Sequence, residues 1–272
     1  MSKSKISSTL NKKRKIAFIK KVGVIFIFVL FFISLFVLFL TIDKIKIKNI
    51  VVVGNSSVLT EDIVTVIQKE LDEKYLWIIS TNNIFLLQRF EIPAEILENI
   101  KKINTVKISL QGLDTLKVVV SERVSESLWC LGTPEDSNVC YFMDSDGFVF
   151  NKAPELTNNV FIKYYGVILK DNPIGENYFS LDKFKDIINF ISEIKKIGFK
   201  PESFSAISES QYEIVLLEKA KIIFDDKEDI LKNISKLNTL IQNNYIKTSS
   251  DFLLKISHID LRYGNKVHYD FK

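Results

Sequence analysis

The 272-residue sequence is poor in the residues that most metal and catalytic sites need. Its two histidines, His258 and His268, each lack a second histidine or a cysteine at ligand spacing, which argues against a zinc site. With only nine glycines, it has no phosphate-binding glycine loop, and it also lacks the Gly-x-Ser-x-Gly and His-Glu-x-x-His patterns. We therefore predict that the chain is not an enzyme and binds no metal, cofactor or small-molecule substrate.

The scarcity of glycine and of proline, of which there are five, also excludes collagen-like and low-complexity chains. Hydrophobic residues make up 47% of the sequence and aromatic residues 12%, which is enough to build a buried core. The sequence is therefore typical of a folded protein rather than a disordered one.

The positive charge of the chain lies almost entirely in its first 21 residues. The formal net charge is +4, but residues 22–272 carry 29 basic against 33 acidic side chains. The tail contains no acidic residue and eight basic ones, namely Lys3, Lys5, Lys12, Lys13, Arg14, Lys15, Lys20 and Lys21. This distribution argues against nucleic acid as a partner and favours a signal for membrane topology, with binding of anionic lipid or a cytoplasmic partner as alternatives.

Residues 22–42 form an uncharged run rich in Phe, Ile, Leu and Val. A helix of this length spans about 31 Å, which matches a bilayer core. The run is too long for the apolar part of a signal peptide and has no small-residue cleavage pattern, so an uncleaved anchor is favoured over a cleaved signal or a buried core helix. The positive-inside rule then places residues 1–21 in the cytoplasm and residues 43–272 across the membrane.

The two cysteines, Cys130 and Cys140, are separated by an even offset around a turn-rich segment. Across a β-hairpin, this offset lets both side chains point to the same face, so the spacing allows a disulfide. Two buried thiols remain an alternative, whereas a metal pair would lack ligands.

After the apolar run, the pattern predicts a strand, two helices and two strands. The first strand covers Ile45–Val53, a helix follows with Thr60 as its N-cap, and Pro93 opens a second helix in its first turn. Val106–Leu110 and Leu116–Val120 then form a hairpin.

The remainder of the chain follows without a linker and predicts a sheet with two amphipathic helices. Strands are predicted at Trp129–Phe150 as a pair, Val160–Leu169, Tyr212–Leu217, Lys221–Phe224, Ile256–Leu261 and Val267–Phe271. One helix begins at the N-cap Ser180 and ends at Gly198, with Phe184, Ile187, Ile188, Ile191, Ile194 and Ile197 on its buried face. A second covers Glu228–Asn243, with Ile230, Leu231, Ile234, Leu237, Leu240 and Ile241 on its buried face. The predicted fold class is α+β.

Several of these segments resemble motifs of the bacterial division protein family FtsQ/DivIB. They are Ile50–Asn55, Asn104–Ile108, Leu116–Arg123, Tyr141–Asp144, Gly147–Phe150 and Ile259–Tyr263, and the resemblance extends over most of the chain. The resemblance implies a cytoplasmic tail at 1–21, a transmembrane helix at 22–42, a POTRA domain (β-α-α-β-β) at 43–123 and an FtsQ/DivIB-type β domain at 124–272. The sequence departs from the family at Gln111–Asp114, at Asp225–Asp226 and in the cysteine pair.

The resemblance also implies a function. The chain would be a bitopic scaffold of the divisome at the division septum, and would bind FtsB/DivIC-like and FtsL-like proteins to recruit and regulate septal peptidoglycan synthesis. The POTRA domain would capture another membrane partner near the bilayer or act as a spacer.

The residues suggest where a partner binds. Val267, Tyr269 and Phe271 alternate in the last predicted strand, and an open strand edge can pair with another chain. We predict partner binding by Tyr263, Gly264, Asn265, Lys266, Val267 and Tyr269, with Tyr263 and Tyr269 as anchors. A terminal strand lying wholly inside the sheet is the alternative.

Two other functions are compatible with the sequence. A membrane-anchored cell-wall enzyme would use paired carboxylates such as Asp225 and Asp226, although adjacent residues on a turn usually face water. A POTRA-bearing transport or secretion component would have a channel-forming partner and no relation to division.

Overall fold

The computed structural model describes residues 4–40, 42–72, 74–75, 79–80, 82–85, 87, 91–136, 139–155, 160–168, 170, 172–227 and 230–272. Contacts divide the chain into two compact units, here called the N-terminal unit (Met1–Glu122) and the C-terminal unit (Arg123–Lys272).

The N-terminal unit begins with one long helix, α1 (Ser4–Leu40). Its part from Phe18 to Leu40 is long and apolar enough to cross a membrane, and it is the one such helix among the described residues. The side chains of this segment are largely exposed, as expected for a surface that meets lipid. The predicted single apolar helix is confirmed. It ends at Leu40, whereas the predicted span extends to residue 42. Met1–Lys3 of the predicted tail and Thr41 of the predicted span lie outside the described residues.

The rest of the N-terminal unit has the predicted β-α-α-β-β order. Its elements are β1 (Asn49–Val53), α2 (Thr60–Leu71), β2 (Lys74–Tyr75), β3 (Ile79–Ser80), α3 (Glu91–Asn99), β4 (Ile103–Gln111) and β5 (Thr115–Glu122). β5 is central, because β1 pairs with it in parallel and β4 in antiparallel orientation. Residues of α2, α3 and the sheet share one core, which includes Ile63, Ile67, Ile92, Ile96, Leu116 and Val118.

Two details of this unit differ from the sequence prediction. The N-cap of α2 is Leu59, not Thr60, and the hydroxyl of Thr60 instead accepts a hydrogen bond from the Asn55 amide at 3.0 Å. The small hairpin β2–β3 lies between the two helices and was not predicted, because strands of two residues carry no periodic pattern.

Glu122, the last residue of β5, holds the loop before α2. Its carboxylate accepts hydrogen bonds from the backbone N–H groups of Ser56, Ser57 and Val58 at 2.6, 2.8 and 2.9 Å, and also from the Ser57 hydroxyl. Burial acts to raise the pKa of this carboxyl, but the hydrogen bonds outweigh burial and lower the pKa to about 2. The ionised form of Glu122 is therefore strongly favoured in the folded unit.

The C-terminal unit is built on one sheet of nine strands. The strands are β6 (Ser127–Cys130), β7 (Cys140–Met143), β8 (Val149–Lys152), β9 (Lys163–Tyr165), β10 (Pro201–Ala206), β11 (Gln211–Leu216), β12 (Lys221–Asp225), β13 (Ile256–Tyr263) and β14 (Lys266–Phe271). Their order across the sheet is β14-β13-β12-β11-β10-β9-β6-β7-β8. The pairs β6–β9, β9–β10 and β12–β13 are parallel, and the other neighbouring pairs are antiparallel.

Two long helices, α4 (Leu181–Ile197) and α5 (Ile230–Gln242), contact each other and share a core with the sheet. A short helix, α6 (Ser250–Leu253), precedes β13. Ser180 and Gly198 are the predicted caps of α4, and Gly198 has the left-handed φ of 109°, although the Ser180 side chain makes no capping hydrogen bond. Residues 228 and 229, where the second helix was predicted to begin, lie outside the described residues.

The predicted buried faces of these helices need two corrections. Ile188 of α4 is 36% exposed and Leu231 of α5 is 67% exposed, whereas Phe190 is fully buried and its ring centroid lies 4.5 Å from that of Phe224. Asn233 is also buried, and its amide oxygen accepts a hydrogen bond from Lys236 at 3.3 Å. Helical periodicity locates the centre of an apolar face, but neighbouring elements decide where its borders fall.

The strand predictions were right for most of the sheet and wrong at three places. The pair predicted at Trp129–Phe150 is three strands, β6, β7 and β8. The predicted strand at Val160–Leu169 is reduced to the three residues of β9, with Val160 75% exposed and Leu169 outside the described residues. β10 was not predicted, because its sequence is mostly polar and shows no apolar alternation. In the structure, the side chains of Ser203, Phe204 and Ser205 are nevertheless buried.

Cys130 and Cys140 face each other in the β6–β7 pair and form a disulfide, with an S–S distance of 1.99 Å and a Cα–Cα distance of 4.1 Å. Cys130 is fully buried. The bond closes a short loop, so it constrains the unfolded chain only modestly.

Replacing both cysteines by alanine is expected to lower the free energy of unfolding of the C-terminal unit by about 3 kcal/mol at most, because the closed loop is short. Thermal unfolding with and without a thiol reductant would measure this. The reductant should lower the melting temperature of the unmodified protein and leave that of the double variant unchanged. A reductant effect on both proteins would contradict the assignment.

Candidate partner-binding edge

The last two strands of the chain form a hairpin. β13 and β14 pair in antiparallel register from Tyr263↔Lys266 to Ile256↔Phe271, with two irregularities along the pair. Gly264 and Asn265 form the connecting turn, and Gly264 has φ 59°, a conformation that L side chains rarely adopt. All six residues predicted to bind a partner therefore lie in this hairpin.

β14 is the terminal strand of the nine-stranded sheet. No other strand in the described part of the chain pairs with its outer side. A terminal strand presents unpaired backbone N–H and C=O groups along one side, which another chain can use to extend the sheet. The other terminal strand is β8, at the far end of the same sheet.

The side chains of the hairpin differ in how far they are exposed. Tyr263 is 55% exposed, and its ring makes an edge contact with the His268 ring at 4.5 Å between centroids. Val267 and Tyr269 are half-buried and pack against the core of the unit. Of the two predicted anchors, Tyr263 thus presents more of its ring to solvent than Tyr269 does.

Phe271 was not among the predicted contact residues, yet it is 57% exposed. Its ring lies 6.0 Å from that of Tyr269 and 6.1 Å from that of Phe252. Strict alternation would place it on the half-buried face with Val267 and Tyr269. Phe271 pairs with Ile256 at the end of the hairpin where the register is irregular. Its exposure therefore follows from the strand pairing and could not be predicted from alternation alone.

An ion pair stiffens β13 next to the turn. The Arg262 guanidinium donates hydrogen bonds to the Asp260 carboxylate from Nε at 2.9 Å and from Nη2, and the Arg262 backbone N–H donates to it at 3.1 Å. Burial acts to raise the pKa of Asp260, but the hydrogen bonds and charge of Arg262 outweigh burial and lower it. The two residues are neighbours on one face of a strand, because side chains at i and i+2 point the same way.

The hairpin is also fixed to helix α5, and its two ends are joined to each other. The Lys236 ammonium on α5 donates a hydrogen bond to the backbone oxygen of Leu261 at 2.7 Å. The backbone N–H of Lys272 donates to the oxygen of Lys255 at 2.8 Å. The edge is therefore held in place from both ends of β13.

The paired carboxylates considered for catalysis have different surroundings. Asp225 is buried at the end of β12, which corrects the expectation that both face water. Asp226 accepts hydrogen bonds from the Tyr212 hydroxyl at 2.9 Å and from the Lys183 ammonium at 3.2 Å. Burial acts to lower the pKa of Lys183, but its bonds to Tyr212 and Asp226 outweigh burial and raise it. The arrangement keeps Lys183 protonated and ties α4 to the sheet.

Two residues of the recognised motifs, distant in sequence, meet in the C-terminal unit. The Arg123 guanidinium forms an ion pair with Asp144 and lies over the Phe148 ring, 4.0 Å from its centroid. Asp144 also accepts hydrogen bonds from the backbone N–H groups of Asp146 and Phe148 at 2.9 and 3.0 Å. The motif residues thus stabilise the turn between β7 and β8.

No protein-family model matches the sequence. It is 25% identical over 197 residues to the cell division protein DivIB of Clostridium tetani (strain Massachusetts / E88), a match that covers 70% of this chain and 71% of the relative. The similarity and the architecture together confirm the resemblance to the FtsQ/DivIB family that was drawn from the sequence.

Proposed function

We propose that the chain is a non-catalytic, single-pass membrane scaffold of the divisome. In this proposal, its part beyond the membrane binds bitopic partners of the FtsB/DivIC and FtsL type, and so recruits and regulates septal peptidoglycan synthesis. The observation that carries the proposal is the open edge of β14 with the exposed Tyr263 beside it. The similarity to a DivIB protein supports a role in division.

The physical basis is addition of a partner strand to the sheet. Backbone hydrogen bonds along β14 would supply binding that is independent of sequence, and side chains beside the edge would supply selectivity. Tyr263 suits an anchor, because a tyrosine ring buries a large area at low entropic cost and keeps a polar tip. The paired Asp260 and Arg262 keep the neighbouring backbone fixed before a partner arrives.

Replacing Tyr263 by alanine is expected to weaken binding by about 2 kcal/mol, roughly thirtyfold in Kd, because the variant loses an anchoring ring. The measurement is calorimetry between residues 43–272 and the extracytoplasmic part of the DivIC- or FtsB-like protein from the same organism. Tyr245→Ala is the matched control, since Tyr245 is 58% exposed and lies outside the hairpin. Equal affinities for the two variants would remove Tyr263 from the interface.

Deletion of Asn265–Lys272 tests the edge as a whole. It should abolish binding while the circular dichroism spectrum keeps its helical content and loses no more strand than β14 itself. Binding that survives the deletion in a folded protein would place the interface elsewhere.

The proposed location follows from the basic residues in the first 21 positions of the chain, which favour a cytoplasmic N-terminus. A fluorescent protein fused to that terminus should form a band at the constriction site during division. An even membrane signal throughout the cell cycle would contradict a division role and favour a transport component. Release of fragments from peptidoglycan by the purified exported part would contradict the non-catalytic assignment.

For the N-terminal unit, we propose capture of a second membrane partner close to the bilayer. Its sheet has two terminal strands, β1 and β4, within the described residues. Val51 and Val53 of β1 are 41% and 45% exposed, so this strand presents apolar side chains that a partner can cover.

A further inference from the structure

The end of α1 is capped by a side chain from the loop between β3 and α3. Asn83 is 1% exposed, and its amide donates a hydrogen bond to the backbone oxygen of Leu40, the last residue of α1, at 2.7 Å. The Asn83 carbonyl oxygen accepts a hydrogen bond from the Phe85 backbone N–H at 2.9 Å. Because the last carbonyls of a helix lack partners within it, Asn83 satisfies one of them and joins the loop to the helix end.

Backbone contacts hold the same loop against the segment that follows α1. The N–H of Ile47 donates to the oxygen of Asn82 at 2.8 Å, and the N–H of Ile84 donates to the oxygen of Ile45 at 3.1 Å. Lys46 and Asn83 form an isolated antiparallel bridge. The loop, residues 82–85, is therefore fixed at the level of the helix end by backbone bonds as well as by the Asn83 side chain.

This loop presents an aromatic ring beside the apolar span. Phe85 is 63% exposed, and its ring centroid lies 5.8 Å from that of Phe39, which belongs to the span and is itself 44% exposed. Where α1 crosses a bilayer, Phe39 lies at the boundary between acyl chains and headgroups. Phe85 then lies at the same depth, where aromatic side chains are favoured.

Charges near the loop fit the same surface. Lys44 and Lys48 are exposed in the segment after α1, and Lys46 forms an ion pair with Asp43 at 2.6 Å. Three lysines and one aspartate give this segment a net positive charge, which attracts anionic lipid headgroups. Proteins that bind at a membrane surface combine apolar side chains, which insert into the bilayer, with basic side chains, which attract anionic headgroups.

We propose that the loop 82–85 is a lipid-contacting surface, with Phe85 inserted into the headgroup and acyl boundary and Asn83 holding it against the end of α1. The partner is the bilayer itself. The proposal rests on α1 spanning the membrane and is independent of any protein partner. In it, the N-terminal unit is a rigid continuation of the anchor helix rather than a domain on a free tether.

The test uses the full chain, one copy in each lipid nanodisc, with 4-trifluoromethylphenylalanine in place of Phe85. The fluorine relaxation rate is measured in discs with and without a lipid that carries a nitroxide near the headgroup. We expect the nitroxide to raise this rate several-fold. The control carries the same label at Leu59, which is 63% exposed and lies beyond the far end of β1, and its rate should stay unchanged.

A second variant tests whether Asn83 holds the loop against the end of α1. Asn83→Ala in the Phe85-labelled chain should reduce the nitroxide effect and broaden the fluorine signal, because one bond between the loop and α1 is lost. Equal nitroxide effects at positions 85 and 59 would overturn the lipid contact. An undiminished effect in Asn83→Ala would overturn the role of Asn83. No division partner is present, so the outcome does not depend on the proposed function.

Discussion

Replacing Glu122 by glutamine is expected to lower the stability of the N-terminal unit by about 2–3 kcal/mol at neutral pH. The carboxylate accepts three backbone N–H hydrogen bonds and two from the hydroxyls of Ser56 and Ser57, and glutamine replaces one of its two acceptor oxygens by a donor. The pKa of about 2, against an ordinary 4.5, corresponds to a stabilisation of about 3 kcal/mol. The Glu122 side chain is 10% exposed, but Ser56 and Ser57, which donate most of these bonds, are exposed, so solvent screening reduces this contribution.

Hydrogen exchange followed by mass spectrometry measures this loss, because it reports separately on each unit. In Glu122→Gln, the amides of β4 and β5 should exchange faster, while those of β10–β12 keep their protection. Glu98→Gln is the control, since the Glu98 side chain is 77% exposed and makes only a surface ion pair with Lys101. Similar exchange in both variants would show that the Glu122 bonds contribute little.

The same carboxylate gives the N-terminal unit a defined acid sensitivity. Because its folded pKa is lower than its unfolded pKa, its contribution is fully present above pH 4.5 and is lost as the pH falls towards 2. Protection factors in β4 and β5 of the unmodified protein, which correct for the pH dependence of the intrinsic exchange rate, should therefore fall over this range. In Glu122→Gln they should fall less, because it has no carboxylate to protonate at that position.

Replacing Phe190 by alanine is expected to have the largest effect in the C-terminal unit, a loss of about 3–5 kcal/mol. The side chain is fully buried against Phe224, so truncation leaves a cavity between α4 and the sheet. For a unit of this size, the loss corresponds to a fall in melting temperature on the order of 10 °C. Scanning calorimetry of residues 43–272 would detect it.

Ile188→Ala is the matched control, two residues earlier on the same helix. Ile188 is 36% exposed, so its truncation should cost about 1 kcal/mol or less. The sequence pattern alone placed Ile188 on the buried face and gave no reason to choose Phe190. A larger effect for Ile188→Ala than for Phe190→Ala would contradict the packing of α4 described here.

Much of the fold could be predicted because single segments carry their own signal. The apolar span, the β-α-α-β-β order and α4 each follow from local periodicity or from caps such as Gly198. The elements that were missed depend on tertiary contacts. β10 buries Ser203 and Ser205 because strands on both sides cover it, although serine is usually exposed.

The candidate site could be predicted only in part. Alternation at Val267, Tyr269 and Phe271 located β14, but the order of strands that makes it terminal follows from non-local pairing. The half-buried state of Tyr269 depends on the core that it packs against. The ion pair between Asp260 and Arg262 could not be predicted without knowing which side chains share a face of β13. The capping of α1 by Asn83 has no sequence signal, since the two residues are distant in the chain.

The alternation of parallel and antiparallel pairs in the large sheet has a consequence for folding kinetics. Neighbouring segments can form three antiparallel blocks, namely β6–β8, β10–β12 and β13–β14. The blocks are joined by β9, which pairs in parallel with β6 and β10, and by the parallel pair β12–β13. These parallel pairs connect residues that are far apart in sequence. Such joining takes milliseconds to seconds in β-rich domains. The chain loses the entropy of loop closure before the distant contacts that stabilise the sheet have formed. The blocks thus expose unpaired strands until they assemble, so the compartment where this unit folds must protect them from aggregation.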